Sequence, residues 1–212
     1  MRSATFKRRR HDATAEILVD AAGSAIARKD YESVTMRDIA AEAGCALGTL
    51  YLYFKSKREL VDALLERHGK VLHGQLMEAV AAARTPLEKL RLLSQALLEY
   101  FNQHRDVFKV YYSATEMKPG PLRLSLPRRM RKMEEELRQM EIEIIREAQA
   151  LGEIRRDFSP ERIQSFRQGL TVGLLGELSL REELPDKDEQ MRMLWGFQTD
   201  GIGARGNHAA TR

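Results

Sequence analysis

Thr35-Met-Arg-Asp-Ile-Ala-Ala-Glu-Ala-Gly44-Cys-Ala-Leu-Gly-Thr-Leu-Tyr-Leu-Tyr-Phe-Lys-Ser-Lys57 is the stretch on which the fold of this chain turns. Thr35 can cap a short helix, because its hydroxyl can accept from the free N–H groups at a helix start. Ile39 and Ala43 lie four apart on one face of that helix, with Ala40 beside them. Gly44 supplies the turn, since glycine takes positive φ without steric cost. A second short helix is expected from about Ala46 to Tyr53, with Leu50 and Phe54 inward and Leu47, Gly48 and Tyr51 outward. Ser56 then opens a third helix through a capping box with Glu59. Two short helices joined by a glycine turn near a basic chain end describe a helix-turn-helix, whose second helix enters the DNA major groove.

Ile39-Ala40, Ala43-Gly44-Cys45-Ala46, Gly48-Thr49-Leu50-Tyr51, Tyr53-Phe54, Lys55-Ser56-Lys57 and Glu59-Leu60 occur in this order near the N-terminus. In this string the chain resembles the TetR family of one-component bacterial repressors, and the likeness spans roughly residues 12–68. Besides Asp30, which stands where the family usually closes the first helix with glycine, two departures from the family pattern matter. The small cap residue before the second helix, usually Ser or Thr, is Ala46, which cannot cap. Cys45 stands where valine is usual and reads as a small buried hydrophobe rather than a redox sensor.

Within 212 residues there is room for one small DNA-binding module and a second helical domain. Sparse aromatics, six prolines and 31% charged residues favour an all-α protein. No apolar run nears the roughly 18 residues of a membrane span, and the basic start has no apolar segment behind it to form a secretion signal. A single cysteine cannot make an internal disulfide, which fits a cytoplasmic protein. The net charge of +4 hides an asymmetry. Arg2, Lys7, Arg8, Arg9 and Arg10 precede any acidic residue, whereas residues 11–60 carry six basic and eight acidic side chains. Residues 1–11 therefore read as a mobile basic arm, either simply solvated or touching phosphates and the adjacent minor groove.

A first helix is expected from Asp12 or Thr14 to Lys29, with Leu18, Ala21, Ala22, Ala25 and Ile26 inward. The headpiece of residues 12–60 is followed by a helical body over 61–200 and a glycine-rich, disordered tail over 201–212. In the body, helices are expected over about 56–84, from Thr85-Pro86, from Arg105 or Asp106, over 127–151, from Ser159-Pro160, and after Pro185. Lys118-Pro119-Gly120-Pro121 is a break, and Gly152 closes the longest helix, whose apolar positions are Met130, Met133, Leu137, Met140, Ile144, Ala148 and Leu151. This makes nine helices in all.

The recognition helix offers few side chains to a duplex. Leu47 suits a thymine methyl, Gly48 lets the backbone come close, and Thr49 can bond a base or a phosphate. Tyr51 and Tyr53 can donate to phosphate oxygens, or else pack on the headpiece, and Lys57 sits at a helix start aimed at the backbone. The resemblance implies that Thr35, Leu47, Gly48, Thr49, Tyr51, Tyr53 and Lys57 are DNA contacts. It also implies a homodimer in which the last two helices pair with their counterparts. Gly169, Gly173 and Gly176 lie on overlapping faces of one helix, a costly choice unless another helix approaches closely.

Tyr100, His104, Phe108, Tyr111, Tyr112 and Met133 combine aromatic shape with adaptable sulfur and point to a pocket for an apolar or aromatic small molecule, the alternative being plain core. No metal site is expected, since His68 and His73 are five apart and miss the four-residue spacing of a helical zinc pair. Neither a cofactor motif nor a catalytic constellation is present, so no enzyme is expected. The expected function is a dimeric repressor released from a palindromic double-stranded operator by a small-molecule effector. The alternative is a constitutive or architectural DNA-binding dimer without one.

Overall fold

The computed structural model describes residues 2–29, 31–114 and 127–202, and side chains from His11 onward except those of 112–114, 201 and 202. Among the described residues the chain forms nine helices and no strand: α1 (Arg2–Lys29), α2 (Met36–Glu42), α3 (Leu47–Tyr53), α4 (Lys57–Ala82), α5 (Pro86–Gln103), α6 (Arg105–Ala114), α7 (Arg128–Leu151), α8 (Pro160–Leu180) and α9 (Lys187–Ile202). The all-α architecture and the order of elements match the reading of the sequence. No described helix is long and apolar enough to cross a membrane. The break at residues 118–121 and the tail beyond Ile202 lie outside the described residues.

One difference is at the start. Helix α1 begins at Arg2, well before the expected Asp12 or Thr14. Residues 2–11 contain neither glycine nor proline, and arginine, lysine and alanine are good helix formers, so nothing local stops the helix propagating backwards.

The chain divides into two compact units, residues 1–70 with 104–131 and residues 71–103 with 132–212. In the first unit Leu18, Ala22 and Ile26 of α1, Ile39 of α2, Leu50 of α3, and Leu60 and Leu64 of α4 are buried in one cluster. The same cluster takes in Val110 of α6 and Met130 of α7, so α6 is packed with the helix-turn-helix core. Burying a leucine or isoleucine contributes about 1.5–3 kcal/mol, so this cluster sets the position of α3. In the second unit Leu76, Leu90, Leu93, Ile144, Ile145, Ala148, Ile154 and Ile163 form the core.

Helix ends follow the local chemistry. Gly44 has φ +63° and Gly152 φ +78°, and each stops its helix where a side chain would be strained. The Ser159 hydroxyl accepts from the Arg162 N–H at 3.3 Å ahead of Pro160. Helix α7 departs from the expected face: Ile142 and Ile145 are buried and Leu151 is 64% exposed. Leu151 is the last residue of its helix, past the point where the inward stripe has anything to cover.

Candidate nucleic-acid interface

Helix α2 is fixed at its start by a reciprocal cap. The Asp38 N–H donates to the Thr35 hydroxyl at 3.2 Å, and the Thr35 N–H donates to the Asp38 carboxylate at 2.9 Å. The Thr35 hydroxyl also donates to that carboxylate at 2.6 Å, and Lys29 donates to it at 2.9 Å. These bonds, the Thr35 hydroxyl first, hold the Asp38 carboxyl well below the usual carboxylate range. Thr35 itself is exposed, so it shows solvent a hydroxyl already committed to the cap.

The turn then delivers α3. Ala46 takes the extended conformation of a cap residue but, lacking an oxygen, makes no side-chain bond to the helix. Leu50 is fully buried and is the anchor of the helix. With Leu50 inward, Gly48 and Tyr51 are exposed and Thr49 is half-buried. A Cβ added at Gly48 would meet nothing within 4 Å, so this part of the backbone is open to a close approach from outside. Tyr51 is 50% exposed. Leu47 and Tyr53 are half-buried and pack against the core of the unit, and the Tyr53 ring lies 4.4 Å from that of His11. The half-buried Cys45 packs there too.

Lys57 has a different engagement from a phosphate contact. Its ammonium donates to the carbonyls of Tyr31, of Glu32 at 3.3 Å and of Val34 at 2.8 Å, and sits 4.4 Å from the centre of the Tyr31 ring. All three donors of the ammonium are therefore directed at the segment before α2, and Lys57 ties the start of α4 to it. Next to it the Glu59 N–H donates to the Ser56 hydroxyl at 3.2 Å, while the Glu59 carboxylate takes the Lys55 N–H at 2.7 Å rather than that of Ser56.

Two exposed side chains beside these were missed in the sequence reading. Leu52 is 80% exposed and lies four residues after Gly48, on the same face, and Arg37 is exposed on α2. The signal was available: a leucine at a position that helical spacing assigns to the solvent face needs a reason.

The residues expected to line a pocket are divided between the two units. Tyr100 is buried and Met133 half-buried in the second, whereas His104, Phe108 and Tyr111 are half-buried in the first. The side chain of Tyr112 lies outside the described residues. His104 instead meets His68, with ring centres 5.1 Å apart in an edge-on arrangement. Burial, helped by the neighbouring Arg67 and His104 charges, pushes His68 down to about 4. Among the described residues no three His, Cys, Asp or Glu side chains are grouped to hold a metal.

Residues 18–64 match the family model described as "Bacterial regulatory proteins, tetR family", a span that contains α2, α3 and the start of α4. The HTH-type transcriptional repressor KstR2 of Mycolicibacterium smegmatis is 33% identical over 157 residues, covering 73% of this chain and 74% of that protein. This chain belongs to the TetR family of transcriptional regulators. Among solved structures, the ketosteroid transcriptional regulator KstR2 of Mycobacterium tuberculosis aligns with TM-score 0.72 at 24% identity, over 89% of this chain and 94% of that one. The fatty acid degradation regulator FadR of Bacillus halodurans aligns with TM-score 0.76 at 18% identity, over 91% and 97%. FadR of Bacillus subtilis, in complex with stearoyl-CoA, aligns with TM-score 0.73 at 20% identity, over 88% and 98%. As a TetR regulator, the chain is a DNA-binding protein whose helix-turn-helix is α2 and α3.

Proposed function

We propose that this regulator is a homodimeric repressor that binds a near-palindromic operator and is released by a small molecule. The observation that carries the DNA-binding part is the outer face of α3, where Gly48, Tyr51 and Leu52 are exposed around the buried Leu50. On this reading Gly48 and Leu52 face bases, Leu52 or Leu47 taking a thymine methyl, and Thr49 and Tyr51 bond base edges or phosphates. Thr35 and Lys57 act by placing α2 and α3, since their polar groups are spent on the cap and on three backbone carbonyls. Tyr53 borders the same surface with its ring against His11.

Dimerisation is assigned to α8 and α9. Phe166, Leu170 and Phe197 are 61%, 42% and 68% exposed, an apolar display unusual for a free surface. A Cβ at Gly169 or Gly173 would meet nothing within 4 Å among the described residues, which leaves room for a helix of a second copy to approach these glycines. Binding of a small molecule, which release requires, is supported by the FadR complex with stearoyl-CoA. The effector of this chain is then a molecule with an apolar body, for which Tyr100, His104, Phe108, Tyr111, Tyr112 and Met133 remain candidate contacts.

The test is a gel-shift series on genomic fragments around the regulator's own gene at low and moderate salt, with and without candidate effectors. A discrete complex that survives competitor DNA and has two-fold symmetric protection is expected. Removing residues 1–10 should make the dependence of log affinity on log salt shallower, by about 0.9 for each phosphate that the arm neutralises. Binding that any competitor DNA abolishes would defeat the operator reading.

A further inference from the structure

The second unit carries a cation in its core. Arg167 of α8 shares a helical stripe with Ile163, Leu175 and Leu178 and is only 3% exposed. Its Nη1 donates to Gln198 Oε1 of α9 at 2.7 Å. Its Nη2 makes only long bonds to α5, at 3.3 Å to the Leu90 carbonyl and 3.4 Å to the Ser94 hydroxyl. The guanidinium carbon lies 5.9 Å from the centre of the Trp195 ring. Every one of these partners is neutral. Among the described residues no carboxylate comes within 4.0 Å of the guanidinium; Glu141 acts on it only through its field, and its carboxylate accepts from Gln164 Nε2 at 3.3 Å. Two buried polar atoms one turn apart have no partner among the described residues, Arg167 Nε and Gln164 Oε1.

Arginine does not shed its proton in proteins, so burial leaves a full charge in a poorly solvated place, and such charges are stable when an anion meets them. The guanidinium edge formed by Nε and Nη2 is the under-used one, with one donor unbonded and the other held by two long bonds. That edge is the planar fork that a carboxylate fits with two parallel hydrogen bonds. The Leu90 whose carbonyl it reaches belongs to the apolar core of this unit with Leu93 and Ile163, against which Leu97 and Trp195 pack. We infer that the effector of this regulator carries a single carboxylate, which Arg167 binds through its Nε–Nη2 edge while an apolar body lies against the neighbouring leucines and Trp195. One cation whose bonded partners are all neutral balances one negative charge, whereas a phosphate dianion or a nucleotide would leave further charge buried. Gln164 Oε1 is available to a hydroxyl or amide N–H on the same molecule. The inference rests on the small-molecule release proposed above and names the chemistry of the effector. Because Arg167 touches α5 and α9 from α8, a carboxylate bound there bears on both helices assigned to the dimer.

The experiment uses the full-length protein and its single tryptophan, Trp195, as reporter. Decanoate and 4-phenylbutyrate are titrated against their methyl esters, reading Trp195 fluorescence and thermal shift. Both acids are expected to bind at least tenfold more tightly than the esters. R167M and R167Q, each checked for native helicity by circular dichroism, are expected to lose at least tenfold in acid affinity and to leave ester binding unchanged. Equal binding of acids and esters, no binding of either acid, or undiminished acid binding by both variants overturns the inference. Operator gel shifts with the same compounds separate this from the release reading. Acids that bind through Arg167 yet leave operator affinity unchanged support the site and count against release. Release by a neutral compound that R167M leaves intact supports release and counts against the site.

Discussion

Tyr51 is the residue whose proposed contact with DNA can be isolated most cleanly, because it is 50% exposed and lies outside the buried core. Tyr51→Phe keeps the ring and removes only the hydroxyl, so it is expected to weaken operator binding by about 1–2 kcal/mol, the scale of a hydrogen bond to a charged group, with thermal stability unchanged. Fluorescence anisotropy on a labelled operator reads the first quantity and a melting curve the second. His68 makes a prediction of another kind. In the folded chain it is pushed down to about 4, while in the unfolded chain it takes a proton near its ordinary value of about 6.5. Between these values the unfolded state binds the proton that the folded state refuses, so stability falls as pH drops from about 7 toward 4 and loses nothing more from this group below that. Arg67 and His104 deepen the effect and Asp20 opposes it. Urea midpoints at pH 7 and pH 5 should differ less in His68→Gln than in the parent protein.

At the scale of elements, the helix-turn-helix was legible because each of its parts has a local chemical signature. Thr35 and Asp38 form the cap, Gly44 adopts the positive φ that the turn demands, and Leu50 anchors α3 in the core. The role of Lys57 was not legible, because which carbonyls an ammonium reaches depends on how the turn after α1 returns to α4, a matter of tertiary geometry. Arg167 was missed although its position was readable: a charge in register with Ile163, Leu175 and Leu178 breaks the apolar stripe of its helix. The pocket candidates are divided between the two units because aromatic spacing along consecutive helices says nothing about which unit each helix joins, and α6 packs with the core around α1. The missing cap at Ala46 gives the prediction at this scale. Its backbone is already extended, φ −68° and ψ 143°, so a serine needs no rearrangement to accept from the N–H groups of α3. Ala46→Ser should stabilise the protein by about 0.5–1 kcal/mol in chemical denaturation. A neutral or destabilising result would mean that the cap position is crowded or that the first turn of α3 is held by other means.

For the whole molecule, the outer face of α8 carries the heaviest assignment. Glycine in the middle of a helix costs about 1 kcal/mol relative to alanine, and α8 has three, at 169, 173 and 176. Gly169 and Gly173 are exposed and meet nothing among the described residues, so neither packing among these residues nor a positive φ accounts for them. A second copy of α8 crossing at this point would: without side chains two helices approach closely, and Phe166, Leu170 and Phe197 bury their exposed surface around the crossing. Gly173→Leu is therefore expected to shift the protein to monomer in light scattering and sedimentation. Because the added side chain enters open space within the chain, helicity and the headpiece fold should be kept. Operator affinity should fall more steeply than either, since two linked recognition helices gain from effective concentration and a lone headpiece does not. Gly173→Ala is the control, a smaller intrusion that also improves helix propensity, and it should weaken the dimer far less. A Gly173→Leu protein that remains fully dimeric would place the interface on another face and leave the exposed glycines without an explanation.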